Sequence, residues 1–227
     1  AFILELKLRL WPVPKHRVMA LAHFPDMVSA LKAVPLINSH GPSAVELIDD
    51  VMIHLGLENR EMAKLLHWLD GAPGSVLMVE FDGQTGEEVL RALSKLHADE
   101  ELAALAYSLV DAIDPAVQAD VLEFRRAGLG VYSTIKGPDQ PTYGIEDAAI
   151  PVHNLPYYVP EVLETVKRLN TRLVIYGHAS VGVLHIKPLL DLKTTEGIKK
   201  YEQISREVFQ LVRKYGGSWS GEHGDGV

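Results

Sequence analysis

The segment TRLVIYGHASVGVLHIKPLL, residues 171–190, constrains the fold more than any other part of this 227-residue chain. It is crowded with valine and isoleucine, whose branched Cβ atoms favour extended backbone, and Gly177 and Gly182 interrupt it. We predict a β-hairpin that turns about Val181 and Gly182. Valine is unfavourable where a two-residue turn requires a positive φ, so a longer loop would fit the same segment.

Two histidines, His178 and His185, lie on either side of the predicted turn. Directly opposed residues of an antiparallel strand pair have Cβ atoms about 4.5–5.5 Å apart on the same face. Two imidazoles at that separation can bind one metal ion, because metal–nitrogen bonds are about 2.0–2.1 Å long. The chain contains ten histidines, and the spacing alone leaves a structural or exposed role for this pair open.

The glycine-rich segment GGSWSGEHGDGV, residues 216–227, supplies a third candidate ligand, Glu222. Glycines allow the backbone to approach a site closely. Neighbouring side chains of an extended segment point to opposite sides, so we expect His223 to face away from a metal bound by Glu222. His223 would then be free to act as a general base.

The remaining hydrophobic periodicities predict a mixed series of strands and helices. Strands are predicted within residues 1–10, 17–24 and 75–83, and helices within residues 26–34, 43–55, 59–69, 87–126 (interrupted near 114–115), 158–170 and 196–217. Ser43 and Asn59 are the expected N-caps of two helices. This order favours an α+β fold, with an antiparallel sheet covered on one face by helices and two ferredoxin-like halves.

Composition excludes several classes of function. The net charge is −8 at pH 7, which argues against nucleic acid as a partner, because phosphate binding needs a basic surface. No apolar run is long enough for a transmembrane segment. Cysteine is absent, which excludes disulfides and cysteine-ligated iron–sulfur clusters within this chain and fits a reducing compartment such as the cytoplasm.

Two motifs, GHASVGVLHIKP and YGGSWSGEHGDG, together resemble the C-terminal substrate domain of FAD-linked oxidases of the vanillyl-alcohol-oxidase type. This group includes D-lactate dehydrogenases, the glycolate oxidase FAD subunit and D-2-hydroxyglutarate dehydrogenase. The segment RRAGLGVYSTIKGPDQPTYGIEDAAIP is most similar to the long members, which carry flavin and iron–sulfur modules in one polypeptide. The resemblance is dense from about Phe124 onward.

The resemblance implies roles for particular residues. By position, His178, His185 and Glu222 would hold a divalent metal, zinc or manganese, and His223 would be the base. Arg125, in better register than Arg126, would bind the substrate carboxylate. Gly144 stands where some relatives have a carboxylate-binding lysine, and Lys136 is a nearby substitute; a solvated helix end or loop is the alternative for these basic residues.

The resemblance also implies how the chain fits into a larger protein. Residues 1–15 would be a strand and connector from an upstream FAD-binding domain, and residues 16–227 the substrate domain, truncated at its C-terminus. No residue of this chain is expected to bind the flavin, since the phosphate-binding glycine motifs are absent, so the isolated chain should be colourless and inactive. An iron–sulfur cluster would lie elsewhere in the parent protein.

The implied reaction is oxidation of a D-2-hydroxy acid, such as lactate, glycolate or 2-hydroxyglutarate, with hydride passing to FAD. The expected partners are this small substrate, the FAD-binding domain of the same polypeptide and an unidentified electron acceptor. The expected location is cytoplasmic, or peripheral at the membrane through the parent protein. Two alternatives stay open: a zinc hydrolase with His/His/Glu ligands, and a non-enzymatic ferredoxin-like ligand-binding module with structural histidines.

Overall fold

A computed structural model describes residues 3–223, except for the side chain of Leu129. Within this range the chain forms eight strands and eight α-helices. The strands are β1 (His16–Phe24), β2 (Ala44–Asp49), β3 (Ser75–Gly83), β4 (Ser108–Ala112), β5 (Gln140–Pro141), β6 (Ala148–Ala149), β7 (Arg172–His178) and β8 (Val183–Leu190). The helices are α1 (Met27–Ser39), α2 (Asp50–Glu58), α3 (Arg60–Lys64), α4 (Gly86–His97), α5 (Glu100–Leu105), α6 (Pro115–Tyr132), α7 (Leu155–Arg168) and α8 (Thr195–Lys214).

The strands form one antiparallel sheet in the order β4-β1-β3-β2-β7-β8-β5, with β6 also paired to β8. The α+β class and the antiparallel sheet are therefore as predicted. The first four strands have the 4-1-3-2 order of a ferredoxin-like unit. The second half does not repeat that unit, because the β7–β8 hairpin lies between α7 and α8, with β2 beside β7 and only the short strands β5 and β6 beside β8.

Helices cover both faces of the sheet, so the prediction of one covered face was wrong. Along β1, Ala20 and Ala22 belong to one buried core and Met19 and Leu21 to another. Alternate side chains point to opposite faces of a strand, and burying both sets requires two helical layers. We call these the α8 face, formed by α1, α4, α5, α7 and α8, and the α6 face, formed by α2, α3 and α6.

Three predicted elements differ from the structure. Residues 43–55 form β2 followed by α2, because Asp49 rather than Ser43 caps the helix, accepting a hydrogen bond from the Met52 amide at 2.8 Å. The predicted helix over 87–126 contains the edge strand β4, which pairs with β1. The predicted strand at the start of the chain is not formed over residues 3–10, since no described segment pairs with it and its leucines stay exposed.

The predicted hairpin over residues 172–190 is present, as β7 and β8. Its loop is longer than two residues: a 3-10 turn over Ala179–Val181 precedes Gly182, which has φ +77°. A Cβ atom on Gly182 would lie 1.9 Å from the Ile150 carbonyl oxygen, so only glycine fits there. This loop sets the strand register on which the candidate site depends.

Candidate metal centre

The β7–β8 hairpin brings His178 and His185 together on the α6 face, where their ring centroids are 5.4 Å apart. They are diagonal neighbours and not directly opposed as predicted. His178 lies opposite Val183, and His185 lies opposite Tyr176. The four-residue loop causes this offset. The rings still share a face, because residues two apart on a strand point to the same side.

Hydrogen bonds through the Nδ1 atoms orient both imidazoles. His178 Nδ1 lies 2.7 Å from Glu46 Oε1, on the neighbouring strand β2, and His185 Nδ1 lies 3.0 Å from the Glu146 carbonyl oxygen. Both partners are acceptors, so each Nδ1 carries hydrogen and the lone pair of a neutral ring is on Nε2. Metal-binding histidines in proteins are held in this way by an acceptor at the second nitrogen.

Three imidazole nitrogens converge on one carboxylate oxygen. Glu222 Oε1 lies 3.4 Å from His178 Nε2, 3.3 Å from His185 Nε2 and 3.5 Å from His223 Nε2. A tetrahedral ion with bonds of about 2.0–2.2 Å has ligand atoms separated by about 3.3–3.6 Å. The three nitrogen–oxygen distances therefore match those expected in a tetrahedral site. The group whose ligand atoms all lie within 4.8 Å of one another consists of Asp147, His185, Glu222 and His223, and it does not include His178.

His223 does not face away from Glu222, contrary to the sequence-based expectation. Its ring stacks on His185, with centroids 5.3 Å apart and planes 4° apart. The backbone here turns instead of running extended, because several consecutive backbone amides of this segment donate hydrogen bonds to Asp147. The carboxylate of Asp147 accepts hydrogen bonds from the backbone amides of 221–223 and from the Ser220 hydroxyl, at 2.8–3.2 Å.

Asp147 also lies close to the cluster and could be counted among its ligands. Its oxygens are already occupied by these donors, and its side chain is nearly fully buried. Burial alone would raise the pKa of Asp147, but the donors outweigh it and hold the pKa below its ordinary value. We therefore assign Asp147 to holding the loop that carries Glu222, and not to the candidate metal ligands.

Arg125 is linked to the histidine cluster through Glu46, whereas Arg126 is exposed. The guanidinium donates from Nε and Nη2 to Glu46 Oε2, at 3.1 and 2.6 Å. Glu46 thus contacts Arg125 with one oxygen and His178 with the other. The resemblance favours Arg125 over Arg126 as the carboxylate-binding residue, and this assignment stays a prediction.

Lys136 is not brought to the cluster. It is exposed and lines an open cleft of about 1300 Å³ together with Arg172, at the start of β7, whereas His178 ends that strand. A different lysine is close. Lys187 follows His185 by two residues on β8, is 3% exposed, and places Nζ 5.3 Å from the centre of the Tyr176 ring.

The Tyr176 ring therefore carries two cations, since Arg125 lies 5.4 Å from its centre. Lys187 has no ion-pair partner within 4.0 Å among the described residues, and its Nζ lies 4.3 Å from the Tyr143 ring centre. Burial lowers the pKa of Lys187. Sequence reasoning missed Lys187, although its spacing from His185 on a strand was sufficient to place it on the same face.

The pKa values of His178 and His185 are shifted in opposite directions. The Glu46 carboxylate raises the pKa of His178, more than burial lowers it. Burial lowers the pKa of His185, with the charge of His178 acting in the same direction. For Glu46, hydrogen bonds from His178 and the charge of Arg125 overcome the effect of burial and hold the pKa below its ordinary value.

An antiparallel sheet lies between helical layers, and three histidines and a glutamate meet beside its strands β7 and β8. Residues 13–227 match the family described as FAD linked oxidases, C-terminal domain. The chain is a member of that family, as the sequence motifs indicated.

Curated relatives support the same family. The chain is 30% identical over 238 residues to D-2-hydroxyglutarate dehydrogenase of Haemophilus influenzae, covering 100% of this chain and 23% of the relative. It is 26% identical over 226 residues to the glycolate oxidase subunit GlcD of Bacillus subtilis, covering 99% and 46%. The chain thus spans about a quarter to a half of the relatives that it matches.

Solved structures share the fold. The 4-ethylphenol oxidase from Gulosibacter chungangensis, in an isoeugenol complex, superposes with a TM-score of 0.64 at 12% identity, covering 94% of this chain and 47% of that one. Substrate-bound p-cresol methylhydroxylase gives a TM-score of 0.63 at 12% identity, covering 91% and 45%. Among the described residues, no helix combines the length and apolar character needed to cross a bilayer.

Proposed function

We propose that this chain is the substrate- and metal-binding part of an FAD-dependent oxidoreductase that acts on 2-hydroxy acids. The observation that carries the proposal is the convergence of His178 Nε2 and His185 Nε2 on Glu222 Oε1, with Arg125 beside them. The names of the relatives, D-2-hydroxyglutarate dehydrogenase, D-lactate dehydrogenase and glycolate oxidase subunit, all denote oxidation of such acids.

Each part of a 2-hydroxy acid would meet a matching group. Arg125 binds the carboxylate adjacent to the hydroxyl, since a guanidinium pairs well with a carboxylate. Lys187 supplies a second buried cation on the same face, which favours substrates with a second acidic group. His223 accepts the hydroxyl proton at Nε2, a role that suits an imidazole near neutral pH.

Two groups outside the protein complete the chemistry. A divalent ion held by His178, His185 and Glu222 would lower the pKa of the substrate hydroxyl and stabilise negative charge on its oxygen. FAD, the cofactor for which the family is named, would take up the hydride from the substrate carbon. The products are a 2-oxo acid and reduced flavin, with the proton left on His223.

Metal titration tests the first half of the proposal. We expect isothermal titration of Zn²⁺ or Mn²⁺ into the chain to show one site, and His178→Ala, His185→Ala or Glu222→Ala to weaken it by at least about tenfold. His54→Ala is the matched control, because His54 is an exposed histidine on α2. A wild-type chain that binds no divalent ion, or variants with unchanged affinity, would contradict the proposal.

Flavin reduction tests the second half. In the intact parent protein, D-2-hydroxy acids should bleach the flavin absorbance, and Arg125→Met should raise KM strongly while FAD stays bound. Lys187→Met should impair oxidation of 2-hydroxy diacids more than that of lactate. Hydrolysis of an ester by the metal-loaded protein, with no flavin reduction by any hydroxy acid, would support the zinc hydrolase instead.

A further inference from the structure

Glu46 contacts two of the groups to which we assign function. One carboxylate oxygen accepts a hydrogen bond from His178 Nδ1 at 2.7 Å, and the other accepts hydrogen bonds from Arg125 Nε and Nη2. The side chain of Glu46 is only 15% exposed, so these contacts are shielded from water. We do not count Glu46 among the candidate ligands, because it contacts His178 at Nδ1, whereas the candidate metal position lies on the Nε2 side of the ring, next to Glu222.

We infer that Glu46 is a positioning residue that fixes the metal-binding tautomer of His178 and the direction of the Arg125 guanidinium together. This inference rests on the proposed function. The acceptor at Nδ1 keeps hydrogen on that nitrogen and leaves the Nε2 lone pair of the neutral ring toward Glu222. The pairing with Nε and Nη2 uses one edge of the guanidinium, and its remaining N–H groups stay available for a substrate carboxylate.

Glutamine in place of Glu46 cannot serve both partners. An amide has one acceptor oxygen and one NH₂ group, whereas Arg125 and His178 both present N–H to this side chain. If the oxygen stays with Arg125, the NH₂ group faces His178 Nδ1, which must then accept. Hydrogen moves to Nε2, and the nitrogen that faces Glu222 loses its lone pair.

The test compares metal affinity and ring tautomer in the chain itself. We expect Glu46→Gln to weaken Zn²⁺ binding about 10–100-fold, the range typical of lost outer-shell partners. In metal-free protein, at a pH where the imidazole is neutral, ¹⁵N NMR should show His178 changing from the Nδ1–H to the Nε2–H form. Glu80→Gln is the matched control, because Glu80 is a buried carboxylate on β3 that pairs with Arg17 and forms no ion pair with either histidine.

A second variant separates positioning from folding. Glu46→Asp keeps the negative charge beside Arg125 but shortens the reach to His178, so we expect a smaller loss of Zn²⁺ affinity with melting temperature unchanged. Wild-type affinity in both Glu46 variants, or loss of affinity without any change of tautomer in Glu46→Gln, would overturn the inference. A wild-type chain that binds no Zn²⁺ would instead contradict the proposed function.

Discussion

At the scale of single residues, Glu222 and His223 are neighbours with different proposed tasks. We expect His223→Ala to keep Zn²⁺ affinity within a few-fold of wild type, because Glu222 and two imidazoles remain. In the parent protein the same change should lower kcat about 10²–10⁴-fold, the contribution typical of a general base. Zn²⁺ titration checks the retained affinity, and steady-state kinetics check the lowered kcat.

The stacked position of His223 makes the opposite assignment testable in the same experiment. Its Nε2 is nearly as close to Glu222 Oε1 as the other imidazoles are. If His223→Ala abolished Zn²⁺ binding and Glu222→Ala retained it, the tasks of ligand and base would have to be exchanged.

Asp49 links stability to pH. This fully buried carboxylate accepts hydrogen bonds from the Met52 and Ile175 amides and the Tyr132 hydroxyl. Burial raises its pKa from 3.8 to about 6. A raised acid pKa favours the protonated folded state, so its contribution to stability is present at low pH and is lost as the pH rises through about 6.

Asp49→Asn removes that titration. We expect the difference in unfolding free energy between wild type and Asp49→Asn to shrink by about 2 kcal/mol between pH 4 and pH 7, measured by urea unfolding of the metal-free chain. A constant difference for Asp49→Asn would show that its carboxyl has the same pKa folded and unfolded.

Residue-level reasoning from sequence anticipated that His178, His185 and Glu222 would lie close together, and it missed the partners that lie far along the chain. His178, His185 and Glu222 occur in recognisable motifs. Glu46 and Asp147 do not, and they lie 132 and 76 positions from the residues they hold, His178 and His223. Nothing in the local pattern around an acidic residue states which distant donor it will meet.

At the scale of elements, the loop end over 221–223 is held mainly by the Asp147 carboxylate, whereas backbone hydrogen bonds with Ala149 hold Ser218. We expect Asp147→Asn to release this loop end, because an amide oxygen cannot accept from the Ser220 hydroxyl and three backbone amides together. Hydrogen exchange of amides 221–223 should accelerate, and Zn²⁺ affinity should fall about tenfold or more. Asp191→Asn, which alters a turn acceptor for the Lys193 amide, should affect neither measurement.

The elements that sequence misassigned show why periodicity was insufficient. In SAVELIDD, Val45, Leu47 and Ile48 fit a helical stripe as well as a strand, and short apolar segments do not separate the two. Pairing with β3 and β7 decides for strand β2. Strand β4 has only five residues at the sheet edge, and its flanking helices dominated the pattern. The hairpin was predictable because its branched side chains act locally.

At the scale of the whole molecule, the proposed ligands come from β7, β8 and the loop after α8, so metal binding should stabilise the complete fold. At a free Zn²⁺ concentration of about 100 Kd, the folded state gains about 2.7 kcal/mol. For a chain of this size that corresponds to a rise in Tm of roughly 5–11 °C. Scanning calorimetry with and without Zn²⁺ measures it, and Glu222→Ala should show little rise.

The strand register described for the hairpin has a consequence for how this protein can tolerate insertions and deletions. One residue added between Val183 and His185 would turn His185 from the α6 face to the α8 face, while two would return it. Extra residues within Ala179–Gly182 leave the pairing of the flanking strands intact wherever the contact of Gly182 with Ile150 survives. The strand of this hairpin therefore tolerates insertions of an even number of residues. The loop tolerates insertions of any length that keep Gly182 packed against the Ile150 backbone.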